Sequence, residues 1–196
     1  MATPSADGRR ARGDRTRHEV ARQAALSATV HGLDGITVGS LAAQTGHSKS
    51  GILTVFANRE AIQIAAVAEA RALYLHHVIE PSLQSAPGRP RLRALLDHWL
   101  AYLRERVFPG GCFITTTTVE YGRREGPVAD AVRDLAREWL LLLENELVGA
   151  GSSTPADDAF RIDAYLRAAH TRFQIFGDET VLDRARRLAW DVIERG

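Results

Sequence analysis

The sequence predicts an all-α fold of about nine helices. Apolar residues recur three or four positions apart along most of the chain, which is the spacing of a helix with one buried face. Segments rich in glycine and proline interrupt this pattern, and only residues 113–119 (FITTTTV) have the β-branched composition of a strand. The 196 residues, of which 45% are hydrophobic, are enough to form a substantial core.

The N-terminal part predicts four helices. The first has one apolar face and ends at Gly32. Three side chains that commonly cap helices, Thr37, Ser48 and Asn58, then begin two short helices and one long helix, which runs to the Glu80–Pro81 pair. The residues predicted to point inward from the first three helices are Val20, Ala24, Ala25, Leu26, Val30, Val38, Leu41, Ala42, Ile52, Leu53 and Phe56.

The remaining sequence predicts five more helices after the loop at 84–90 (QSAPGRP). We expect them at residues 91–107, 112–122, 127–148, 157–176 and 179–195. The last two have broad apolar faces, which a single copy of the chain would have difficulty covering. These two helices are therefore expected to dimerise, with packing inside one chain as the alternative.

Charge is distributed unevenly along the chain, although the net charge is only +1. Arginine or lysine occupies eight of the first 60 positions and aspartate or glutamate five. Many of these charges lie in residues 1–14 or shortly after them. We expect residues 1–14 to form a flexible basic arm. Five arginines precede the predicted first helix, and they either bind phosphates or the minor groove of a nucleic acid or are simply solvated. They are Arg9, Arg10, Arg12, Arg15 and Arg17.

Several classes of protein are disfavoured. The first residues have no apolar segment typical of a secretory signal, and no apolar run approaches the length of a membrane-spanning helix. Cys112 is the single cysteine, so an internal disulfide or a cysteine zinc cluster cannot form. The histidines are not spaced to share a metal. We expect a cytoplasmic protein that uses no metal or cofactor.

The two short helices of the N-terminal part fit a helix-turn-helix unit. They are joined at Gly46 and are too short to be stable in isolation. In such a unit the second helix enters the major groove of DNA. This helix carries Lys49, the one lysine of the chain, and we expect Lys49, Ser50 and Thr54 on its outer face.

This region resembles the DNA-binding domain of the TetR/AcrR family of transcriptional regulators. The similarity extends over about residues 15–75, where Arg59 occupies the position of a lysine. The positions that keep the family pattern are Gly32, Thr37, Val38, Leu41, Ala42, Gly46, Ser48, Lys49, Ile52, Phe56 and Glu60. Three positions depart from it: Leu53 replaces an aromatic residue, Val55 a frequent histidine, and His47 a valine.

The resemblance implies a function and its domains. Residues 15–75 would bind double-stranded DNA, and residues 76–196 would bind a ligand and form a homodimer. The protein would be a repressor that binds a palindromic operator and is released by a small apolar or aromatic molecule. The resemblance together with the pattern of the short helices predicts the DNA-binding residues Thr37, Ser48, Lys49, Ser50, Gly51, Leu53, Thr54 and Arg59.

Two further sets of residues are expected in the second domain. Aromatic bulk with a few polar groups is typical of a ligand cavity, although such residues also form ordinary cores. The expected ligand-binding residues are Trp99, Tyr102, Cys112, Phe113, Thr116, Tyr121 and Trp139. The expected dimer-interface residues are Phe160, Tyr165, Phe173, Leu182, Leu188 and Trp190.

Two alternative functions stay open. Leu53 and Val55 are compatible with a dimeric all-α protein whose DNA binding is vestigial. Cys112 follows two glycines at the start of a predicted helix, where its pKa could be lowered, so a cysteine-dependent enzyme is conceivable. No nucleophile elbow, phosphate-binding loop or paired-carboxylate motif accompanies it in the sequence, and we therefore expect a protein that is not an enzyme.

Overall fold

The computed structural model describes residues 6–195, except for the side chains of residues 6, 7 and 9. Within residues 6–195 the chain forms nine helices and no strand, which confirms the predicted all-α fold. The helices are α1 (Ala6–His31), α2 (Val38–Thr45), α3 (Lys49–Val55), α4 (Arg59–Tyr74), α5 (Arg89–Arg104), α6 (Phe113–Tyr121), α7 (Pro127–Gly149), α8 (Pro155–Phe176) and α9 (Thr180–Arg195). None of the helices in this range is long and apolar enough to cross a membrane.

The predicted helix caps are confirmed. The side chains of Thr37, Ser48 and Asn58 each accept a hydrogen bond from the backbone N–H three residues later, at 2.8–3.0 Å. Each bond satisfies one of the N–H groups that a helix start leaves without a partner inside the helix. Gly46 ends α2 in the left-handed region at φ 74°, which a residue with a side chain rarely adopts.

The beginning of α1 differs from the prediction. The helix starts at Ala6, so residues 6–14 are helical rather than a flexible arm, and Arg10, Arg12, Arg15 and Arg17 lie within α1 rather than before it. Residues 1–5 of the expected arm lie outside the described residues. The prediction placed the helix start where apolar residues begin, whereas alanine and arginine form helix without an apolar face.

Helix α4 continues past its last α-helical turn. A π-helical turn (Leu75–Ile79) and a final short α-helical turn (Glu80–Ser82) follow it without a break in helical backbone. The wider turn precedes Pro81, which lacks the N–H that a regular α-helix would use at that point. The predicted long helix is therefore confirmed, but with a change of register near its end.

One hydrophobic core extends from Val20 in α1 to Ile193 in α9. Helices α8 and α9 pack extensively against each other, α1 packs on α4, and α7 contacts both α4 and α8. The N-terminal helices and the second part of the chain are thus packed on a shared interior.

Two residues predicted to point inward are exposed. Leu53 is 52% exposed, because α3 is a single short helix whose buried stripe is already filled by Ile52 and Phe56. Val30 is 54% exposed near the end of α1. A helix rotates by about 100° per residue, so a neighbour of a buried residue lies on a different face.

Candidate nucleic-acid interface and effector cleft

Helices α2 and α3 are held together by a small apolar contact. Leu41 of α2 and Ile52 of α3 are fully buried, and Phe56 at the end of α3 is buried beside them. Arg17 of α1 donates a hydrogen bond to the carbonyl of Val55 and places its guanidinium 4.8 Å from the centre of the Phe56 ring. The backbone of α3 is therefore fixed at its C-terminal end by α1.

The opposite face of α3 is polar and open to solvent. Ser48, Lys49, Ser50, Leu53 and Thr54 are exposed, as is Thr37 at the start of α2, whereas Gly51 is half-buried. Thr54 donates its hydroxyl hydrogen bond to the carbonyl of Ser50 at 2.8 Å. All of the residues of the predicted DNA-binding set other than Arg59 thus lie on α3 or at the start of α2 and α3.

Lys49 has distinctive surroundings within this face. A Cβ atom at Gly39 of α2 would lie 3.7 Å from Cε of Lys49, so the lysine side chain extends across the glycine. Lys49 makes no ion pair with any residue that the structure describes. Its ammonium group is available to an acceptor from outside the chain.

Arg59, in contrast, is bound within the chain. Its guanidinium donates a hydrogen bond to the backbone carbonyl of Asp34 and lies 3.7 Å from the Asp34 carboxylate. The sequence predicted the same role for Arg59 as for Lys49, but the two side chains have different surroundings. The sequence could not reveal this because Asp34 lies 25 positions away.

His47, which departs from the family pattern, has a structural partner. Its Nε2 atom lies 2.7 Å from the carboxylate of Glu19 in α1. This contact joins the turn between α2 and α3 to α1. The replacement of a valine by His47 therefore adds a polar contact that holds the unit together.

Asp34 is the centre of a polar cluster that we call the Asp34 junction: Asp34, Gln63, Glu120, Tyr121 and Arg124. Tyr121 donates its hydroxyl hydrogen bond to the Asp34 carboxylate at 2.8 Å, and Arg124 forms an ion pair with the same carboxylate. Gln63 of α4 donates to the backbone carbonyl of Leu33 at 2.9 Å. The junction joins the loop after α1 to α4 and to the end of α6.

Glu120 completes the Asp34 junction from α6. Its carboxylate accepts hydrogen bonds from the backbone N–H groups of Leu33, at 2.7 Å, and of Asp34, at 2.9 Å. A Cβ atom at Gly32 would lie 2.9 Å from the same carboxylate, and Gly32 has φ 76°, so a larger residue would strain the backbone and displace the Glu120 side chain. Gly32, which the sequence predicted to end α1, therefore also lies at the contact between this end of α1 and α6.

The charge states of the junction follow from its geometry. The hydrogen bond from Arg124, helped by that from Tyr121, lowers the pKa of Asp34 below its usual value. Burial, together with the Asp34 carboxylate, raises the pKa of Tyr121 to about 12. At neutral pH Asp34 is therefore ionised and Tyr121 keeps the proton that it donates.

A second contact joins α1 to the loop between α5 and α6. The backbone N–H of Gly110 donates a hydrogen bond to the Thr29 hydroxyl at 3.1 Å. A Cβ atom at Gly110 would lie 1.9 Å from the Thr29 carbonyl oxygen, so only glycine fits at this distance. Helix α1 and the loop that follows it are thus connected to α6 near its beginning and at its end.

A cleft of about 460 Å³ opens beside α6. It lies between α4, the π-helical turn, α6 and α7, and most of its walls are apolar. At its edge, Nε of Arg71 lies 2.6 Å from the carboxylate of Glu138. The lining residues are Arg71, Tyr74, Leu75, Ile79, Ile114, Leu135, Glu138, Trp139, Leu141, Leu142 and Asn145.

Of the residues predicted to bind a ligand, only Trp139 lines this cleft. Trp99 and Cys112 line a much smaller space that lies behind Trp139 and Tyr74. Tyr102 and Phe113 are core residues, and Thr116 is half-buried with its hydroxyl donating to the Cys112 carbonyl. Tyr121 belongs to the Asp34 junction instead. The cleft residues from α4 and the π-helical turn were missed, since their spacing is that of ordinary core residues.

Cys112 is poorly placed for nucleophilic chemistry. It is 3% exposed, and burial raises the pKa of its thiol. A thiol with a raised pKa is less often the reactive thiolate. The position after two glycines therefore does not activate Cys112 as the sequence alternative required.

The residues predicted at a dimer interface fall into two groups. Phe160 of α8 is 75% exposed, and Tyr165, Leu188 and Trp190 are half-buried on α8 and α9. Phe173 and Leu182 are buried within the single chain. Ile175 and Phe176 at the end of α8 are exposed as well.

An exposed α3 packed on α2, continuous with a larger helical part, has the arrangement of a helix-turn-helix unit joined to a second helical domain. The family model that describes the tetracyclin repressor-like C-terminal domain matches residues 88–189, which is more than half of the chain. The chain belongs to the TetR family of transcriptional regulators.

Solved structures have the same fold. A TetR transcriptional regulator from Chloroflexus aurantiacus is 23% identical, with a TM-score of 0.85 over 94% of this chain and 96% of that one. A TetR-family regulator from Cytophaga hutchinsonii is 20% identical, with a TM-score of 0.79 over 94% and 96%. AibR, solved in complex with isovaleryl coenzyme A and operator DNA, is 17% identical, with a TM-score of 0.72 over 89% and 98%. None of the curated proteins compared with the chain matches it.

Proposed function

We propose that this protein is a repressor that binds a palindromic operator as a homodimer and is released by a small apolar or aromatic molecule. Residues 15–75 form its DNA-binding domain and residues 76–196 its ligand-binding and dimerisation domain. The observation that carries the proposal is the exposed face of α3, on which Lys49 has no ion-pair partner among the described residues.

On DNA, α3 lies in the major groove. The Lys49 ammonium donates to the O6 and N7 atoms of guanine, and the hydroxyl groups of Ser50 and Thr54 bond to neighbouring base edges. Leu53 contacts a thymine methyl group, which gives its exposed apolar side chain a partner on DNA. Thr37 and Ser48 bond to phosphates, and Gly51 allows the backbone to approach.

The proposed homodimer forms through α8 and α9. Phe160 and Phe176 of α8 are large apolar side chains that lie in solvent in the single chain, and Tyr165, Leu188 and Trp190 are half-buried on α8 and α9. Exposed apolar side chains that form a contiguous patch often mark an interface between proteins. A twofold dimer presents two copies of α3, which explains why the operator would be palindromic.

The proposed effector binds in the cleft beside α6. Its apolar walls and the ring of Trp139 favour an apolar or aromatic molecule. Ile114 near the start of α6 lines the cleft, and Glu120 and Tyr121 at its end belong to the Asp34 junction. A molecule that binds better to one position of α6 would therefore shift the position of α2 and α3. The fold of AibR, which was solved with both a small molecule and operator DNA, supports this role.

The test is a fluorescence anisotropy titration of the purified protein with a duplex from upstream of its own gene. A shuffled duplex of the same composition is the control, and both are measured at several salt concentrations. We expect tighter binding to the upstream duplex, with the footprint of a dimer. Equal, weak binding to this duplex and to all others from the surrounding genome would indicate the vestigial alternative.

A further inference from the structure

The positive charge of the DNA-facing part is concentrated at one end. In residues 18–60, which contain the entire helix-turn-helix unit, three basic residues are matched by three acidic ones. Two of the basic residues are also engaged: Arg59 with Asp34, and Arg22 with Glu69 at 3.6 Å. Residues 6–17 contain five arginines and only two aspartates. The electrostatic attraction to a polyanion therefore has to come mainly from the beginning of α1.

The beginning of α1 lies next to α3. A Cβ atom at Gly13 would be 3.9 Å from the side chain of Val55, the last residue of α3. One turn further on, Arg17 bonds to the Val55 carbonyl and covers Phe56. The first turns of α1 therefore extend outward from the C-terminal end of the helix that we propose to enter the major groove.

We call residues 8–17 the extension, and three of its arginines have no partner among the described residues. Arg10, Arg12 and Arg15 are exposed, and none forms an ion pair or hydrogen bond with a residue that the structure describes. No side chain described between Gly8 and Glu19 is buried. Among the described side chains of these turns only Asp14 is acidic, so most of the charge of Arg10, Arg12 and Arg15 is left without an internal partner.

The sequence of the extension also disfavours the helical conformation. Each glycine in a helix interior costs about 1 kcal/mol relative to alanine, and this segment contains Gly8 and Gly13. Arg12 and Arg15 are one turn apart, where like charges repel. A polyanion that neutralises the arginines would remove this repulsion and stabilise the helix.

We infer that residues 8–17 form a second, helical DNA-binding surface that contacts the phosphates beside the groove occupied by α3. This inference rests on the proposed DNA-binding function and adds to it a rigid contact outside the helix-turn-helix unit. Phosphate contacts carry no direct sequence information, so the extension supplies affinity and α3 supplies selectivity.

The first experiment replaces the three exposed arginines together, Arg10→Gln, Arg12→Gln and Arg15→Gln. Glutamine is a good helix former, so the charge changes and the helix does not. Binding to a random-sequence duplex is measured against salt concentration. Each lost phosphate contact reduces the slope of log K against log salt by about 0.9, so we expect a reduction of roughly 3 for each protomer bound.

The matched control removes three exposed arginines of α5, the loop after it and α7, Arg104→Gln, Arg106→Gln and Arg137→Gln. The change in net charge is the same. We expect the slope of this variant to stay near that of the parent. Equal slopes for the parent and the extension variant would overturn the inference, as would an equal reduction in both triple variants.

The second experiment separates a helix from a flexible tail. Gly13→Pro keeps every charge but breaks the helix before position 13, while proline at the start of a helix leaves residues 14–31 intact. Gly13→Ala is the control, since a Cβ atom at this position makes only an ordinary contact. We expect Gly13→Pro to lose affinity for the random duplex and Gly13→Ala to keep or gain it. Equal affinity for the two variants would overturn the helical contact.

The failure of this inference differs from the failure of the proposed function. A parent protein that binds every duplex equally, with a salt slope that depends on Arg10, Arg12 and Arg15, has the extension contact but lacks selective DNA binding. Such a protein would refute the operator function and the division of roles with α3. A parent that binds its operator selectively but has a slope independent of these arginines refutes only the extension.

Discussion

The helix-turn-helix unit and the effector cleft differ in how their residues come to be in place. In α2 and α3 the capping side chains, the short apolar stripe and the exposed polar face all lie within about 20 consecutive residues. The cleft is formed by α4, the π-helical turn, α6 and α7, which are far apart in the chain. The first kind of site is a local property of the sequence, and the second is a property of packing.

The same difference appears between two single residues. Lys49 and Arg59 are both basic, exposed and close in sequence, but Lys49 has no ion pair among the described residues whereas Arg59 is bound to Asp34. Exposure alone therefore does not identify a DNA-binding residue. Because only Arg59 has an internal partner of this kind, we expect Lys49 rather than Arg59 to contact a base.

The largest expected effect contrasts two neighbours in α3. Ile52→Ala removes a fully buried side chain and should lower the free energy of unfolding by about 2–5 kcal/mol. Leu53→Ala changes an exposed side chain and should alter it by no more than about 0.5 kcal/mol. Urea denaturation of both variants checks this. Similar losses would mean that Leu53 is packed in the interior after all.

The second effect tests the connection between the two regions. Glu120→Gln removes a charge that accepts hydrogen bonds from the N–H groups of Leu33 and Asp34, so the free energy of unfolding should fall by about 1.5–3 kcal/mol. Thermal or urea denaturation measures the loss. Glu125→Gln is the control, since Glu125 is exposed on the loop after α6. If both variants lose equally little, the Asp34 junction does not hold the two regions together.

The third effect separates Lys49 from Arg59 on DNA. Lys49→Ala should weaken binding to the selected operator by roughly 1–3 kcal/mol and relax selectivity at one base pair. Arg59→Ala should change operator affinity less, because its partner is Asp34 rather than a base. Fluorescence anisotropy titrations of both variants with the operator measure the two losses of affinity. A larger loss for Arg59→Ala would reverse the assignment made from their contacts.

The smallest effect is a dependence on pH in the second region. Burial, helped by Arg167, lowers the pKa of His170, with the backbone of Gly110 opposing part of the shift. A lowered pKa in the folded state means that the contribution to stability is complete above the pKa of the unfolded histidine, about 6.5, and is lost as the pH falls through the folded pKa. The slope cannot exceed about 1.4 kcal/mol per pH unit.

Denaturation of the parent and of His170→Gln at about pH 7.5 and pH 5.5 measures this contribution. The parent should lose more stability than the variant on acidification. His76→Gln, which changes an exposed histidine on the π-helical turn, should behave like the parent. An identical loss in the parent and in His170→Gln would show that His170 is not held in its neutral form by burial.

The fold was largely predictable from the sequence and the candidate sites only in part. Thr37, Ser48 and Asn58 were identified as caps because capping depends on a spacing of three residues. The start of α1 was placed too late, since its first turns have no apolar face. Tyr121 was expected at a ligand, whereas its partner Asp34 lies 87 positions away, and no local pattern encodes such a contact.

Sequence-selective reading of DNA by α3 in a twofold dimer is tested most directly by selecting bound duplexes from a random-sequence library and sequencing them. This selection does not require the operator to be chosen in advance. We expect enrichment of two inverted half-sites. In the selection with Lys49→Ala, one position of each half-site should no longer show a preferred base pair. A library that shows no enriched sequence after repeated rounds, although the protein is folded, would contradict this role of α3.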